Sequence, residues 1–239
     1  GGLIAQEETV VTELPDEPIE MEATSPGHPV FAEYMGAHWC GPCISATNNL
    51  KSLYNTNGGG GSQSADFTFV SFWESQTSGW PADSPINRRS HIQNAPGYTG
   101  GIPVTVFGDA PSGTYYTVGG QSYDSFYQNG GNMQNANDYQ LSVIQSENGN
   151  NMDIEITAIY SGTGSKNVYL YAAVTEEKGY EPYTAGGGSD HPPHLWKKWL
   201  LNNGNNGFET LTLTSGTPVT KTWTVPVSTA RAVSGISSA

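Results

Sequence analysis

The sequence predicts an α/β domain followed by an all-β sandwich. Three observations lead there. Near the N-terminal third, two strongly apolar strand runs bracket a helical stripe and are followed by a hairpin pattern. Beyond Asp138 the apolar period changes to two. A hydrophobic share of 36% with 30 glycines points to many turns and strands rather than long helices. At 239 residues, two modest domains fit the length better than one.

Residues 1–27 are expected to be an acidic tail or linker. They hold Pro15, Pro18 and Pro26, lack sustained periodicity, and read as a solvated tether. The first domain is expected over 28–138. Pro29 to Met35 is apolar enough for a buried strand that ends at Gly36. Ala46, Leu50, Leu53 and Tyr54 recur at helical spacing, and the cluster Asn57 to Gly61 stops that helix. Phe67 to Trp73 is rich in aromatic and β-branched residues, as a strand requires. After a long polar connection, Pro103 to Phe107 and Thr114 to Val118 read as a hairpin turned through Pro111, Ser112 and Gly113. Residues 121–138 read as an interrupted helix, weakened at Gly130-Gly131.

The second domain is expected over 139–239. Met152, Ile154, Ile156, Ala158 and Tyr160 alternate with mostly polar neighbours, as do Val168, Leu170, Ala172 and Val174. Phe208 to Thr214 and Val219 to Val227 add strands, which argues for a small antiparallel sandwich. A long inserted loop is expected at about 178–207, with Trp196, Trp199, Leu200 and Leu201 in a short helix. The segment Arg231 to Ala239 is weakly apolar, so a last strand there would be short.

Nine basic residues against 22 acidic ones give a net charge of −13, which repels phosphate backbones and anionic membrane surfaces. Nucleic acid is therefore not an expected partner. Glu7, Glu8, Glu13, Asp16, Glu17, Glu20 and Glu22 concentrate much of that charge in the tail. No run of about 18 apolar residues occurs, so no membrane span is expected in this chain. No signal peptide is visible, and a start at Gly1 without an initiator Met is what a mature or trimmed product would show.

The chain has two cysteines, in Trp39-Cys40-Gly41-Pro42-Cys43, between a predicted strand and a predicted helix. At a helix N-terminus, unpaired amide groups and the positive end of the macrodipole favour a thiolate, which makes Cys40 the natural nucleophile. Cys43, within the first turn, is placed to resolve a mixed disulfide. Pro42 suits the early helix position and Trp39 can shield the pair. The bland alternatives are a static disulfide or half of a metal site. So small a loop gains little from closure, and a structural zinc site needs about four ligands, so redox chemistry is preferred. His38 could tune the thiolate or add a metal ligand, although an exposed loop histidine is commoner. His191 and His194, in Asp190-His191-Pro192-Pro193-His194, are spaced for a metal, yet a proline-rich loop needs none. No metal and no organic cofactor are expected. Trp196 and Trp199 read as core aromatics rather than a binding face, and Lys197 and Lys198 as a solvated face.

The pentapeptide resembles the active site of thioredoxins, and Gly101-Ile102-Pro103 ahead of Val104 to Phe107 resembles their cis-proline loop. The resemblance covers about residues 28–138. It implies that Pro103 is cis and packs beside the cysteines, and that the backbone of Ile102 pairs with an extended substrate. Glu33-Tyr34-Met35-Gly36, the insertion before Gly101, and His194 to Trp199 followed by Leu211 to Trp223 are more similar to a family of bacterial outer-membrane surface lipoproteins. Its members join a thioredoxin-like domain to a β-sandwich and have poorly defined activity. The implied architecture is an α/β thioredoxin-like domain followed by an all-β immunoglobulin-like sandwich. One position departs from thioredoxins, which carry a buried Asp six residues before the first cysteine. Here that position is Tyr34. Glu33, the nearest acid, can replace it only if the strand carries a bulge.

The function expected from these residues is extracytoplasmic thiol-disulfide exchange on protein substrates with disulfides or thiols. The location is a cell surface or periplasm-like space, with the sandwich docking an envelope partner. The alternative is a non-catalytic surface binding or structural protein. A third reading, metal delivery through the cysteines and a histidine, predicts metal bound by the reduced protein only.

Overall fold

The computed structural model describes residues 30–57, 67–74, 100–107, 116–118, 123–131, 138–178, 183–185, 190–201 and 208–226. The expected tail, the glycine cluster after Asn57, the turn through Pro111 to Gly113 and the terminal segment 231–239 lie outside these residues. In chain order the elements are β1 (Val30–Ala37), α1 (Gly41–Asn57), β2 (Phe67–Glu74), β3 (Val104–Phe107), β4 (Tyr116–Val118) and α2 (Tyr123–Gly131). They continue with β5 (Tyr139–Asn148), β6 (Asn151–Tyr160), β7 (Ser165–Tyr171), β8 (Ala173–Lys178), β9 (Pro193–Trp199), β10 (Phe208–Thr214) and β11 (Val219–Pro226).

A six-stranded mixed sheet in the order β4-β3-β1-β2-β9-β8 forms the frame. β1 and β2 are parallel, paired from Val30↔Phe67 to Ala37↔Glu74 without interruption, and joined by α1. β3 runs antiparallel to β1, from Ala32↔Phe107 to Met35↔Val104. Seven of the eight residues of β1 are buried, the near-continuous pattern of a strand covered on both faces. One face carries Val30, Ala32 and Tyr34 with Phe67, Phe69 and Trp73, packed against Ala46, Leu50 and Leu53 of α1 and Tyr123 and Tyr127 of α2. The other face gathers Met35, Val70, Phe72, Val104, Val106 and Trp196, all from strands. Both described helices therefore cover the same side.

This corrects the expected architecture. An α/β thioredoxin-like domain followed by an all-β immunoglobulin-like sandwich is not what the chain shows. Among the described residues strands make up 60%, two helices are present, and the strands form three sheets. The physical reason is β9. The segment read as a loop with a short helix instead forms a strand parallel to β2, with Ser71 opposite Leu195, and β8 pairs antiparallel beside it. Leu195, Trp196 and Lys197 are all buried. Successive residues point to opposite faces, so this strand is enclosed on both sides. Lys197 is tolerated there because Glu176 of β8 is its ion-pair partner.

The chain changes sheets at Ala172, a single residue between β7 and β8. β7 pairs with β10, while β5, β6 and β11 form a three-stranded sheet in the order β11-β6-β5. These two sheets enclose Ile154, Ile156, Ala158, Leu170, Leu211, Leu213 and Val225, and Val174 of β8 joins the same core. The β5–β6 hairpin turns through Gly149 and Asn150, and Gly149 sits at φ 63°, where a side chain would be strained.

Candidate functional site

Cys40 and Cys43 form a disulfide with Cα atoms 5.3 Å apart, and both are buried. Strand β1 ends in a turn in which the Cys40 amide donates to the Ala37 carbonyl at 3.1 Å. The Cys43 amide then donates to the Cys40 carbonyl at 3.2 Å as α1 begins. No acidic residue lies in the first helical turn, so nothing in that turn offsets the positive end of the helix at the disulfide. Trp39, Gly41 and Pro42 form an exposed lip around it, Trp39 being 56% exposed. The Ile102–Pro103 peptide is cis, Pro103 is buried, and Ile102 packs against the cluster that contains both cysteines.

Beneath Cys43 stands Tyr34. Its hydroxyl donates to the Cys43 carbonyl at 3.1 Å, Thr47 Oγ1 donates to the Tyr34 hydroxyl at 3.4 Å, and Tyr183 Oη hydrogen bonds Thr47 Oγ1. Each hydroxyl has one proton, so the donors run in order from Tyr183 to Thr47 to Tyr34 to the carbonyl. Burial raises the Tyr34 pKa well above its ordinary value of 10.0, with the neighbouring Tyr183 adding to the effect. Burial likewise pushes Tyr183 up to about 12. Gly36 makes room for this phenol. A Cβ there would stand 2.6 Å from Tyr34 Oη and 2.8 Å from Trp73 Cζ3.

Glu33 is buried on the opposite face of β1, in register with Val70 on one side and Val106 on the other. The pairing of β1 with both neighbours is unbroken, so no bulge turns Glu33 toward the cysteines.

A strap from the second half of the chain, Tyr183 to Ala185, lies over the disulfide-bearing turn. The Thr184 amide and Oγ1 both donate to the His38 carbonyl, at 2.9 and 3.2 Å. A Cβ at Gly41 would lie 3.9 Å from that of Ala185. Tyr183 packs edge-on against Trp73, with ring centroids 4.5 Å apart, and its amide donates to the Asp190 carbonyl at 2.8 Å. His38 Nδ1 lies 3.1 Å from the Glu74 carbonyl, which only accepts, so Nδ1 carries a proton and is engaged. His194 packs against Tyr54 and Phe69. Among the described residues no group of three or more His, Cys, Asp or Glu is arranged to hold a metal, and no helix is long and apolar enough to cross a membrane.

The structure thus gathers Trp39, Cys40, Gly41, Pro42, Cys43 and Ile102 around one disulfide and sets Glu33 apart. Thr47, Tyr183 and Thr184 are site residues that the sequence reading missed. Thr47 left a signal, a polar residue four positions after Cys43 on the buried stripe of α1. Tyr183 and Thr184, some 140 residues distant, left none.

No family model and no curated protein matches this chain. Among solved structures it is similar to protein AGR_C_4864 of Agrobacterium tumefaciens, at 15% identity over 84% of this chain and 80% of that one, with a TM-score of 0.47. It is also similar to HBP35 of Porphyromonas gingivalis, at 11% identity over 86% of this chain, with a TM-score of 0.52. This chain spans 66% of that HBP35 chain. Likeness at this identity concerns the fold alone. Both neighbours are bacterial.

Proposed function

We propose that the protein is a bacterial cell-surface binding or structural protein in which the Cys40–Cys43 disulfide is held closed rather than cycled. The observation that carries this reading is the chain of hydroxyls beneath Cys43. A cycling dithiol must ionise its inner thiol to release a mixed disulfide, and a base beside it speeds that step. Here the position holds Tyr34, Thr47 and Tyr183, and burial keeps both phenols protonated. The Tyr183 to Ala185 strap further occupies the approach to the disulfide. The likeness to HBP35 of Porphyromonas gingivalis supports a bacterial setting, and a closed disulfide suits an oxidising space outside the cytoplasm. The sheets of the second half would serve as the docking surface for an envelope partner.

The test is reduction of a model protein disulfide by excess small-molecule dithiol, with and without the protein. The expected rate equals that of the Cys40→Ser variant. Turnover that depends on Cys40 would overturn the reading.

One observation favours the second reading, a thiol-disulfide oxidoreductase. The disulfide sits at the N-terminus of a helix whose first turn holds no acidic residue, beside the exposed indole of Trp39, where a Cys40 thiolate would be stabilised once formed. Cys40 would then attack a substrate disulfide and Cys43 would release the reduced product, leaving Cys40–Cys43 oxidised until an external dithiol restores it.

A further inference from the structure

Among the described residues β5 is the edge of the three-stranded sheet, paired on one side with β6. Its register sets Leu141 opposite Ala158 and Val143 opposite Ile156, and residues directly opposite share a face. That face is the core face, where Ala158 and Ile156 are each 7% exposed. Leu141 and Val143 are nevertheless 43% and 47% exposed. Among the described residues the opposing sheet has two strands against three and leaves the outermost one uncovered. Ile144, on the other face, is exposed as well. An open edge of this kind is ordinarily guarded by Lys, Pro or a bulge. β5 has none of these over ten residues, whereas β11, at the far edge, carries Lys221 and ends at Pro226.

We infer that β5 is a self-association edge, and that its occupant is β5 of a second copy of this chain, paired antiparallel about a two-fold axis at Ser142. This goes beyond the proposed function and does not depend on whether the disulfide cycles. The strand is self-complementary in that register. Leu141 meets Val143 of the second copy on the core face, Gln140 meets Ile144 on the other, and Tyr139 meets Gln145. The seven residues Tyr139 to Gln145 carry no charge, Asp138 comes opposite Ser146, and Glu147 falls outside the paired span. No two carboxylates face each other, which matters between two copies of net charge −13. Two three-stranded sheets become one six-stranded sheet in the order β11-β6-β5-β5-β6-β11, and the exposed apolar pair becomes a cross-strand pair. A single strand edge is a small interface, so the association is weak.

The experiment is sedimentation velocity on the full chain between ~1 and ~200 μM, a range that brackets micromolar association. The chain is expected to shift from monomer to dimer across it. Val143→Lys and Leu141→Lys are expected to stay monomeric with unchanged thermal unfolding midpoints, since both sites are exposed. Tyr169→Lys, at an exposed position on β7, is expected to dimerise like the parent chain. The inference is overturned if the parent chain is monomeric at the highest concentration, which would leave the edge to a strand from another protein. It is equally overturned if the β5 variants still dimerise, or if Tyr169→Lys loses dimerisation too.

Discussion

The Tyr34 hydroxyl donates a hydrogen bond to the backbone carbonyl of Cys43 across 3.1 Å, tying the middle of the central strand β1 to the first turn of the helix that bears the disulfide. A phenol in this place anchors the turn by its proton. A carboxylate would instead have offered the neighbouring thiol somewhere to send one.

Tyr34→Phe keeps the ring and removes that anchor. Thr47 also loses its acceptor, so two buried polar groups lose a partner, and the expected cost is about 1–3 kcal/mol. Urea unfolding should show a lower midpoint with an unchanged slope. A midpoint equal to that of the parent chain would mean that water or another donor replaces the hydroxyl.

The strap should limit how fast a reductant reaches the disulfide. Thr184→Pro removes both the amide and the hydroxyl that bind the His38 carbonyl. Opening of the strap then becomes more frequent, and reduction by a small dithiol is expected to be about tenfold faster, equivalent to roughly 1.4 kcal/mol. Quenched alkylation of the released thiols measures this directly. Equal rates would show that the strap does not gate access.

The buried phenols make stability fall in strong alkali. Tyrosine is neutral when protonated, and Tyr183 is pushed from 10.0 up to about 12 in the folded chain. Below pH 10 both states hold the proton and nothing is lost. Between pH 10 and 12 the unfolded chain ionises first, so stability declines as pH rises. Urea midpoints taken at pH 9, 10 and 11 should therefore fall less steeply for Tyr183→Phe than for the parent chain. Parallel curves would place the alkaline loss elsewhere.

Parts of this architecture were legible in the residues. β1, α1 and β2 stand close to where the apolar runs and the helical stripe put them, because both strand runs are continuously apolar and the stripe stops at the Asn57 to Gly61 cluster. The cis bond before Pro103 is present as the resemblance implied. β9 was not legible. Buried on both faces, it does not alternate, and Trp196, Trp199 and Leu200 fall by chance at helical spacing. The run from Val168 to Val174 reads as one strand, yet it divides at Ala172 between two sheets, and periodicity is blind to a change of partner. At the site, the position of Tyr34 could be counted from Cys40. Its companions could not, since Tyr183 lies 149 residues away in sequence.

β9 also dictates the order in which the molecule can be completed. As the chain leaves the ribosome, β1 to β4 and both described helices are available early, but β2 remains a bare edge flanked by Phe67, Phe69, Phe72 and Trp73. Ser71 on that edge has its hydroxyl partner, the Pro193 carbonyl at 2.6 Å, some 120 residues downstream. Until residues 193–199 emerge, the aromatic edge at the middle of the main sheet is open to the wrong neighbour. A nascent chain stalled before that point should therefore bind holdase chaperones, and one stalled beyond it should let them go.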